Sequence, residues 1–187
     1  MKIFFVTSNK HKAEEVKKVM EKYSIEIEHI DYEYDEPQDV DINEVSLRAA
    51  KSLAEKLGKP VCVDDTGIFF EAYPNFPGLV SKFIFYTIGY EGIFRLLSGK
   101  SKKAYFKTAA GYCEPGKEPL IFEGFMHGSI IDDVRNPEAD CMPYNRIFIP
   151  EGETRTLSSM TEQEKLSFLQ RTKAFSKLAE FLVSGKK

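Results

Sequence analysis

The sequence predicts an α/β fold with a central mixed, partly parallel sheet flanked by helices. Over the first 65 residues, short β-rich runs alternate with amphipathic helical segments, an order that favours parallel pairing of the strands. A hairpin-like series of β segments follows between residues 103 and 131. The chain then ends in a helical segment whose apolar positions would pack on the sheet.

Composition places the chain among globular proteins and argues against several functional classes. Its 187 residues are 42% hydrophobic and 29% charged, and they predict one domain over 1–187. The formal charge of -3 provides no basic surface for nucleic acid, and no apolar run approaches membrane-spanning length. Cys62, Cys113 and Cys141 form neither a zinc pattern nor a disulfide framework, which predicts a reducing, cytoplasmic compartment.

The first strand leads directly into a helix through a small polar turn. Residues 2–6 are β-rich, and after Thr7-Ser8-Asn9 apolar residues recur at helical spacing over 13–23. Ser8 or Asn9 can cap this helix. Such a junction presents unpaired backbone N–H groups that bind phosphate, and Lys10 and Lys12 add positive charge. An ordinary capped helix with solvated lysines is the alternative, because the turn matches no Walker or dinucleotide motif.

A second strand and a second helix follow. Residues 25–30 alternate apolar and polar side chains and predict a strand. Residues 31–36 are acidic, which is typical of a solvated loop but could also supply an oxygen ligand to a hard metal. Residues 43–57 predict an amphipathic helix that ends at Gly58.

The third strand carries two adjacent acids. Three apolar residues, bounded by Pro60 and by a Thr66-Gly67 turn, predict a short buried strand with Asp64 and Asp65 at its carboxyl end. Neighbouring carboxylates repel each other unless a divalent cation or a shared proton offsets their charge. A solvated turn, capped by Asp64, is the alternative. If the first and third strands are parallel, the polar turn and the acids face one crevice.

The remaining elements are predicted from turns and periodicity. We expect a turn at Pro77-Gly78, a short helix over 91–97, β segments over 103–112, 120–122 and 128–131, a strand over 144–149, and a helical region from Thr161 to about Val183.

Nucleophilic catalysis has little support, because no nucleophile elbow occurs and the three histidines accompany no nucleophile motif. A phosphate-binding turn, scattered lysines and hard oxygen ligands remain. This set suits magnesium-assisted chemistry on a phosphorylated small molecule.

In this order, the motifs resemble those of the inosine triphosphate pyrophosphatase (Ham1-like) family, which hydrolyses deaminated purine nucleoside triphosphates to the monophosphate and pyrophosphate. The resemblance spans nearly the whole chain. The matching motifs are Thr7-Ser8-Asn9 with Lys12 and Glu15, Asp64-Asp65-Thr66-Gly67, Pro77-Gly78 with Lys82, Lys103-Ala104-Tyr105-Phe106, Ile147-Phe148-Ile149-Pro150, and Met160 with Lys165 and Arg171.

The resemblance implies a Mg²⁺-dependent hydrolase of ITP, dITP and XTP, with two lobes around a substrate cleft, and a homodimer. The turn from Thr7 to Lys12 would hold triphosphate oxygens, with Lys12 as the main cation. Asp65 and Glu36, or Glu33 in its place, would ligate Mg²⁺. Asp65, supported by Asp64, would also help to activate the water that attacks the α-phosphorus.

Further substrate contacts are implied along the chain. They fall on Lys51, Thr66, Lys82, Met142, Tyr144, Asn145, Lys165, Gln170 and Arg171.

The chain departs from the family pattern where the base is read. The family's stacking aromatic is replaced by Met142, and its base-reading acid by Asn145, which can both donate and accept hydrogen bonds. The family's Ser-His-Arg appears as Leu169-Gln170-Arg171. Lys165 and Arg171 could reach one ligand only if the terminal helix breaks or bends between them. We therefore expect retained phosphate and metal handling with altered or relaxed base selection. A pyrophosphatase of other nucleotides, or a nucleotide-binding protein without catalysis, remains the alternative.

Overall fold

Seven strands and five α-helices follow one another along the computed structural model, which describes residues 1–34 and 41–185. The strands are β1 (Lys2–Val6), β2 (Glu26–Ile30), β3 (Val61–Phe70), β4 (Pro77–Gly78), β5 (Lys103–Cys113), β6 (Leu120–Ile130) and β7 (Phe148–Pro150). The helices are α1 (Lys10–Glu21), α2 (Ile42–Leu57), α3 (Ser81–Leu97), α4 (Glu162–Phe168) and α5 (Gln170–Ser184).

The strands form one mixed sheet in the order β2-β1-β3-β5-β6-β7, with β4 paired to β3. β1 is parallel to both β2 and β3, whereas the β3–β4 and β6–β7 pairs are antiparallel. The predicted α/β class with a partly parallel sheet is confirmed. Phe5 pairs with Cys62, and continuing this register by two residues brings Thr7 beside Asp64.

Contacts divide the chain into two compact units. The first comprises Met1–Thr66, Thr108–Gly124 and Gln170–Lys187. Helices α1 and α5 cover one face of its strands, where Phe5, Cys62 and Phe175 belong to one apolar cluster. Helix α2 covers the other face, where Val6, Leu53 and Val63 belong to a second cluster. The alternation of side chains along β1 and β3 supplies both faces.

The second unit comprises Gly67–Lys107 and Phe125–Leu169. Its core joins the end of β3 to α3, β6 and β7, and includes Phe70, Ile93, Ile130 and Phe148. The predictions of one domain over 1–187 and of two lobes around a cleft stay predictions.

The first half of the chain folds largely as its patterns predict. Asn9 caps α1, and α2 ends at Gly58, whose φ of 63° is the left-handed conformation that glycine favours. Near the other terminus, Thr161 and Glu164 form the predicted capping box of α4. None of the helices in the described ranges combines the length and apolar character needed to span a bilayer.

The expected Thr66-Gly67 turn is wrong, because β3 continues without interruption to Phe70. The strand continues because β4 pairs with it, joining Ile68 to Gly78. Gly67 serves this close pairing, since a Cβ there would lie only 2.7 Å from the main-chain carbon and oxygen of Gly78. Asp64 and Asp65 therefore lie within a long strand and not at its carboxyl end.

Several expectations for the second half are also corrected. The short helix over 91–97 is the end of α3, which starts at Ser81 and is interrupted by the non-helical φ/ψ of Gly89. Exposed Phe83 and Tyr86 obscure the helical periodicity of its first part. Gly124 does not interrupt β6. The predicted strand over 144–149 is instead a 3₁₀ turn, Pro143–Arg146, followed by β7.

The C-terminal helical region is two helices, because Leu169 has an extended backbone (φ -56°, ψ 128°) between α4 and α5. The break that was required between Lys165 and Arg171 is therefore present.

Candidate active site

Asp64 and Asp65 lie on opposite faces of β3, because successive side chains of a strand point to alternate sides of the sheet. Asp64 faces α1 and α5, where it contacts Lys12 and Arg171. Asp65 faces α2, where it contacts Ser46. Both acids are almost completely buried. They do not form a pair with a common environment, so each carboxylate has its own partners.

Asp64 is neutralised by two cations from distant parts of the chain. The Nε of Arg171 donates to its Oδ2 at 2.8 Å, and the Nζ of Lys12 lies 3.3 Å from its Oδ1. Burial opposes ionisation of Asp64, but the charges of Arg171 and Lys12 outweigh it, so the pKa of this carboxyl lies below its usual value. These two cationic side chains offset the charge of Asp64.

Arg171 connects three side chains through its guanidinium. Beyond Asp64, it donates to the carboxylate of Glu15 and, at 3.3 Å, to the hydroxyl of Thr66. Burial alone would lower the pKa of Arg171, but Asp64 and Glu15 raise it above its ordinary value. The hydroxyl of Thr66 is also 2.7 Å from that of Thr108 on β5. Arg171 therefore ties α5 to both α1 and β3.

Asp65 is contacted by two hydroxyl groups. The Oγ of Ser46 donates to Oδ2 at 2.5 Å, within the range of short, charge-assisted hydrogen bonds. The hydroxyl of Tyr34 donates to Oδ1 at 3.3 Å and also lies 3.3 Å from the main-chain oxygen of Asp64. The side chain of Asp65 is thus held from α2 and from the segment that follows β2.

The turn between β1 and α1 lies beside Asp64, as predicted. The Nζ of Lys12 donates to the main-chain oxygen of Asp64 at 3.0 Å. However, the backbone N–H groups of this turn are less open than expected. Asn9 accepts from the N–H groups of His11 and Lys12, and the N–H of Asn9 donates to the hydroxyl of Thr7. Ser8 is exposed. Within this turn, the Lys12 side chain supplies a cation that contacts Asp64.

The predicted base-contacting residues lie in the second unit, on and beside the 3₁₀ turn. Met142 is 63% exposed, whereas Tyr144 is buried and its hydroxyl donates to the main-chain oxygen of Ser81. That contact places the turn beside the start of α3, where Lys82 is exposed. Asn145 is partly exposed.

Arg146 and Tyr90 hold the same 3₁₀ turn. Arg146 donates to the main-chain oxygen of Ala139 at 2.6 Å and to the hydroxyl of Tyr90 at 3.2 Å. Tyr90 in turn donates to the main-chain oxygen of Pro143. The turn is therefore anchored to α3 from both of its ends.

The other residues that were predicted to contact the substrate or the metal differ in burial and in hydrogen bonding. Lys165 is buried and donates to Glu162 at 2.6 Å. Gln170 is buried, and its Oε1 has no hydrogen-bond partner within the described residues. Lys51 is exposed and pairs with Glu118 at 2.9 Å. It lies about 140° around α2 from Ser46, so the structure does not bring it to Asp65. Glu36 lies outside the described residues.

Several contacting residues were not predicted. Glu15 belongs to a matched motif but had no assigned role, and Tyr34, Ser46, Thr108 and Arg146 were not singled out. Of these last four residues, only Ser46 carries a sequence signal, since it is a polar residue on the apolar face of a predicted helix. The others depend on contacts that periodicity does not report.

The site offers oxygen donors without a complete metal cage. Over 1–34 and 41–185, no group of three His, Cys, Asp or Glu side chains is placed to hold a metal ion. Mg²⁺ is commonly bound by one or two carboxylates together with substrate phosphates and waters. The carboxylate of Asp65 fits that mode of binding.

Comparison with known proteins supports the family resemblance that the sequence motifs indicate. Two relatives are dITP/XTP pyrophosphatases. The one from Methanopyrus kandleri is 42% identical over 182 residues, which are 97% of this chain and 96% of the relative. The one from Saccharolobus solfataricus is 40% identical over 185 residues, covering 98% and 95% of the two chains.

A solved HAM1 protein from Coxiella burnetii superposes with a TM-score of 0.84 at 21% identity, covering 98% of this chain and 99% of that one. At this identity the likeness concerns the fold. The Ham1 family model matches residues 3–181, so the chain belongs to the Ham1 family.

Proposed function

We propose that this protein hydrolyses deaminated purine nucleoside triphosphates, ITP, dITP and XTP, to the monophosphate and pyrophosphate. The observation that carries the proposal is the meeting of Lys12, at the start of α1, with the acid-bearing strand β3. Two relatives that match almost end to end are named dITP/XTP pyrophosphatases, which supports this substrate class.

Lys12 is the residue that we propose to bind the triphosphate. Its ammonium lies near the amino-terminal end of α1, where the helix dipole also favours an anion. The ammonium is shared with the oxygens of Asp64, so a phosphate would join an ion pair that is already formed. We propose that Asp64 and Arg171 hold Lys12 in position, and that Thr7, Ser8, Asn9 and Thr66 line the phosphate path.

Asp65 is the residue that we propose to hold Mg²⁺, and Glu36 is a second ligand by resemblance. When bound, the metal would supply positive charge to the phosphate oxygens. The remaining coordination would come from phosphate and water oxygens, as is usual for this ion.

In the proposed reaction, a water molecule attacks the α-phosphorus and the bond from that phosphorus to the bridging oxygen breaks. Pyrophosphate leaves with the electron pair of that bond. Lys12 stabilises the charge that develops on the phosphate oxygens, and Asp65 helps to orient the water and accept its proton. Lys51, Lys82 and Lys165 are proposed as further phosphate or nucleotide contacts.

Relaxed base selection is a second candidate. It is favoured by the exposure of Met142 and by the amide of Asn145, which can accept either a donor or an acceptor on a base. Tyr144, Gln170 and Arg171 are proposed as further nucleotide contacts. We further propose a homodimer in the cytoplasm. The free thiols of Cys62, Cys113 and Cys141 are compatible with a reducing compartment. Size-exclusion chromatography with light scattering tests the homodimer.

The test is a panel of ITP, dITP, XTP, GTP, ATP and pyrimidine triphosphates assayed for pyrophosphate release with Mg²⁺ and with EDTA. We expect release that requires the metal and is fastest for ITP and XTP. Comparable rates with ATP and GTP would support relaxed selection instead. Nucleotide binding without pyrophosphate release would overturn the proposed enzymatic function.

A further inference from the structure

Ser46 is a polar residue on an apolar helix face. Helix α2 buries Val45, Ala49, Ala50 and Leu53, and Ser46 lies among them with no solvent exposure. Alanine at this position would favour the helix and would avoid burying a hydroxyl. A buried serine within a helix often donates to the carbonyl four residues earlier, but the Oγ of Ser46 points away from its own helix, to β3 and β5.

The hydroxyl of Ser46 has one proton and two acceptors within reach. Its Oγ lies 2.5 Å from Oδ2 of Asp65 and 3.0 Å from the main-chain oxygen of Ala109. A charged carboxylate forms the shorter and stronger hydrogen bond, so the proton is directed to Asp65. The contact of Tyr34 with the other carboxylate oxygen is longer, at 3.3 Å. Ser46 therefore makes the closer of these two contacts to the Asp65 carboxylate.

Gly111 allows the helix to approach closely enough for this contact. A Cβ at Gly111 would lie 2.3 Å from the main-chain oxygen of Ser46 and 3.2 Å from the side chain of Ala50. Any larger residue at 111 would push this part of α2 away from β5. The absence of a side chain on β5 thus brings the Ser46 hydroxyl within hydrogen-bond distance of Asp65.

We propose that Ser46 is a positioning residue for Asp65, orienting its carboxylate for the metal-assisted reaction. The catalytic consequence of this inference rests on the proposed function. The orientation of the Asp65 carboxylate by Ser46 does not depend on that function. Residues that hold a metal ligand through a hydrogen bond commonly contribute about 10–100-fold to metal affinity or activity.

The test uses the full-length chain with Ser46→Ala and Ser46→Cys. The cysteine variant retains the size of the side chain with a weaker donor, so it serves if the alanine variant folds poorly. Ser52→Ala, on an exposed position of the same helix, is the matched control. Crystal structures of each metal-free protein report the Asp65 orientation. Rates measured over a range of Mg²⁺ concentrations report the half-saturating metal concentration.

We expect Asp65 to rotate in both Ser46 variants, with a rise in half-saturating Mg²⁺ or a fall in kcat of about 10–100-fold, while Ser52→Ala matches the wild type. An unchanged Asp65 orientation would overturn the inference, as would wild-type metal dependence and rate in both variants. Lower thermal stability with wild-type metal dependence would indicate a purely structural serine. If the wild-type protein hydrolyses no triphosphate, the proposed function fails, and the crystal structures alone decide whether Ser46 orients Asp65.

Discussion

The Nε of Arg171 lies 2.8 Å from Oδ2 of Asp64, a residue 107 positions earlier in the chain. The Asp64 side chain has no solvent exposure, and that of Arg171 is also buried. Arg171 was expected to contact the nucleotide, and that role stays a prediction. In the structure, its guanidinium is occupied by Asp64, Glu15 and Thr66, so any ligand must share it with these partners.

Asp64→Asn should lower the free energy of unfolding by about 3 kcal/mol, because it removes one of the two carboxylates that compensate the buried guanidinium of Arg171. Urea unfolding measures the change. Lys51→Met, which breaks the exposed pair with Glu118, is the control and should remain near wild type. Equal stabilities of the two variants would contradict a stabilising role for the Arg171–Asp64 pair.

The stability contributed by Asp64 should depend on pH. Its folded-state pKa is lowered, so this contribution is present above the unfolded pKa of about 4 and is lost as the pH falls through the folded pKa. Unfolding of the wild type and of Asp64→Asn, both in EDTA, measures it. Their difference in unfolding free energy should be constant above about pH 5 and should shrink below about pH 4. A constant difference down to pH 3 would show that another group determines the stability.

Asp65→Asn should abolish turnover and leave the fold intact. The amide can still accept from Ser46, but it lacks the charge needed to hold a divalent cation. The loss of kcat should exceed the roughly 10–100-fold effect typical of a residue that only supports a ligand. Pyrophosphate release and circular dichroism give the two readouts, and Asp133→Asn, in an exposed pair with Arg135, is the control. Rates near wild type would remove Asp65 from the mechanism.

Asn145→Asp should narrow base selection. A carboxylate accepts hydrogen bonds only, so it favours bases that present a donor at that position. We expect the ratio of kcat/KM for ITP to that for ATP to rise about tenfold, which corresponds to one charge-assisted hydrogen bond of modest strength. Asn75→Asp adds the same charge at an exposed turn and should leave the ratio unchanged. An unchanged ratio in Asn145→Asp would place base reading elsewhere.

The periodic parts of the fold were predictable from the sequence. The caps at Asn9, Gly58 and Thr161 follow from local hydrogen bonding, and the α/β class follows from the order of the elements. The sequence predicts that the turn before α1 lies beside the acids of β3 if β1 and β3 are parallel. The structure has this parallel pairing, and Lys12 contacts Asp64.

The failures share a physical cause, which is that a distant partner overrides a local signal. Gly67 suggests a turn until its close approach to Gly78, which pairs with Ile68, is known. The 3₁₀ turn at Pro143 is held by Tyr90 and Arg146, and neither contact leaves a periodic pattern. Likewise, Asp64 and Asp65 have separate environments because β3 continues past both acids and directs them to opposite faces. Their adjacency in the sequence does not reveal this continuation.

Because side chains alternate between the two faces of β3, the position of a residue along this strand determines which side chains it contacts. A deletion of one residue between Pro60 and Asp64 would move Asp65 into the position that faces the Arg171 guanidinium, and Asp64 onto the α2 face at the position of Val63. An insertion would instead move Asp64 into the position that faces the Ser46 hydroxyl, and Asp65 into the position of Thr66. The composition of the site would be unchanged, yet its two acids would have exchanged faces of the sheet. We therefore expect length changes in this strand to be far more harmful than conservative replacements of its apolar residues.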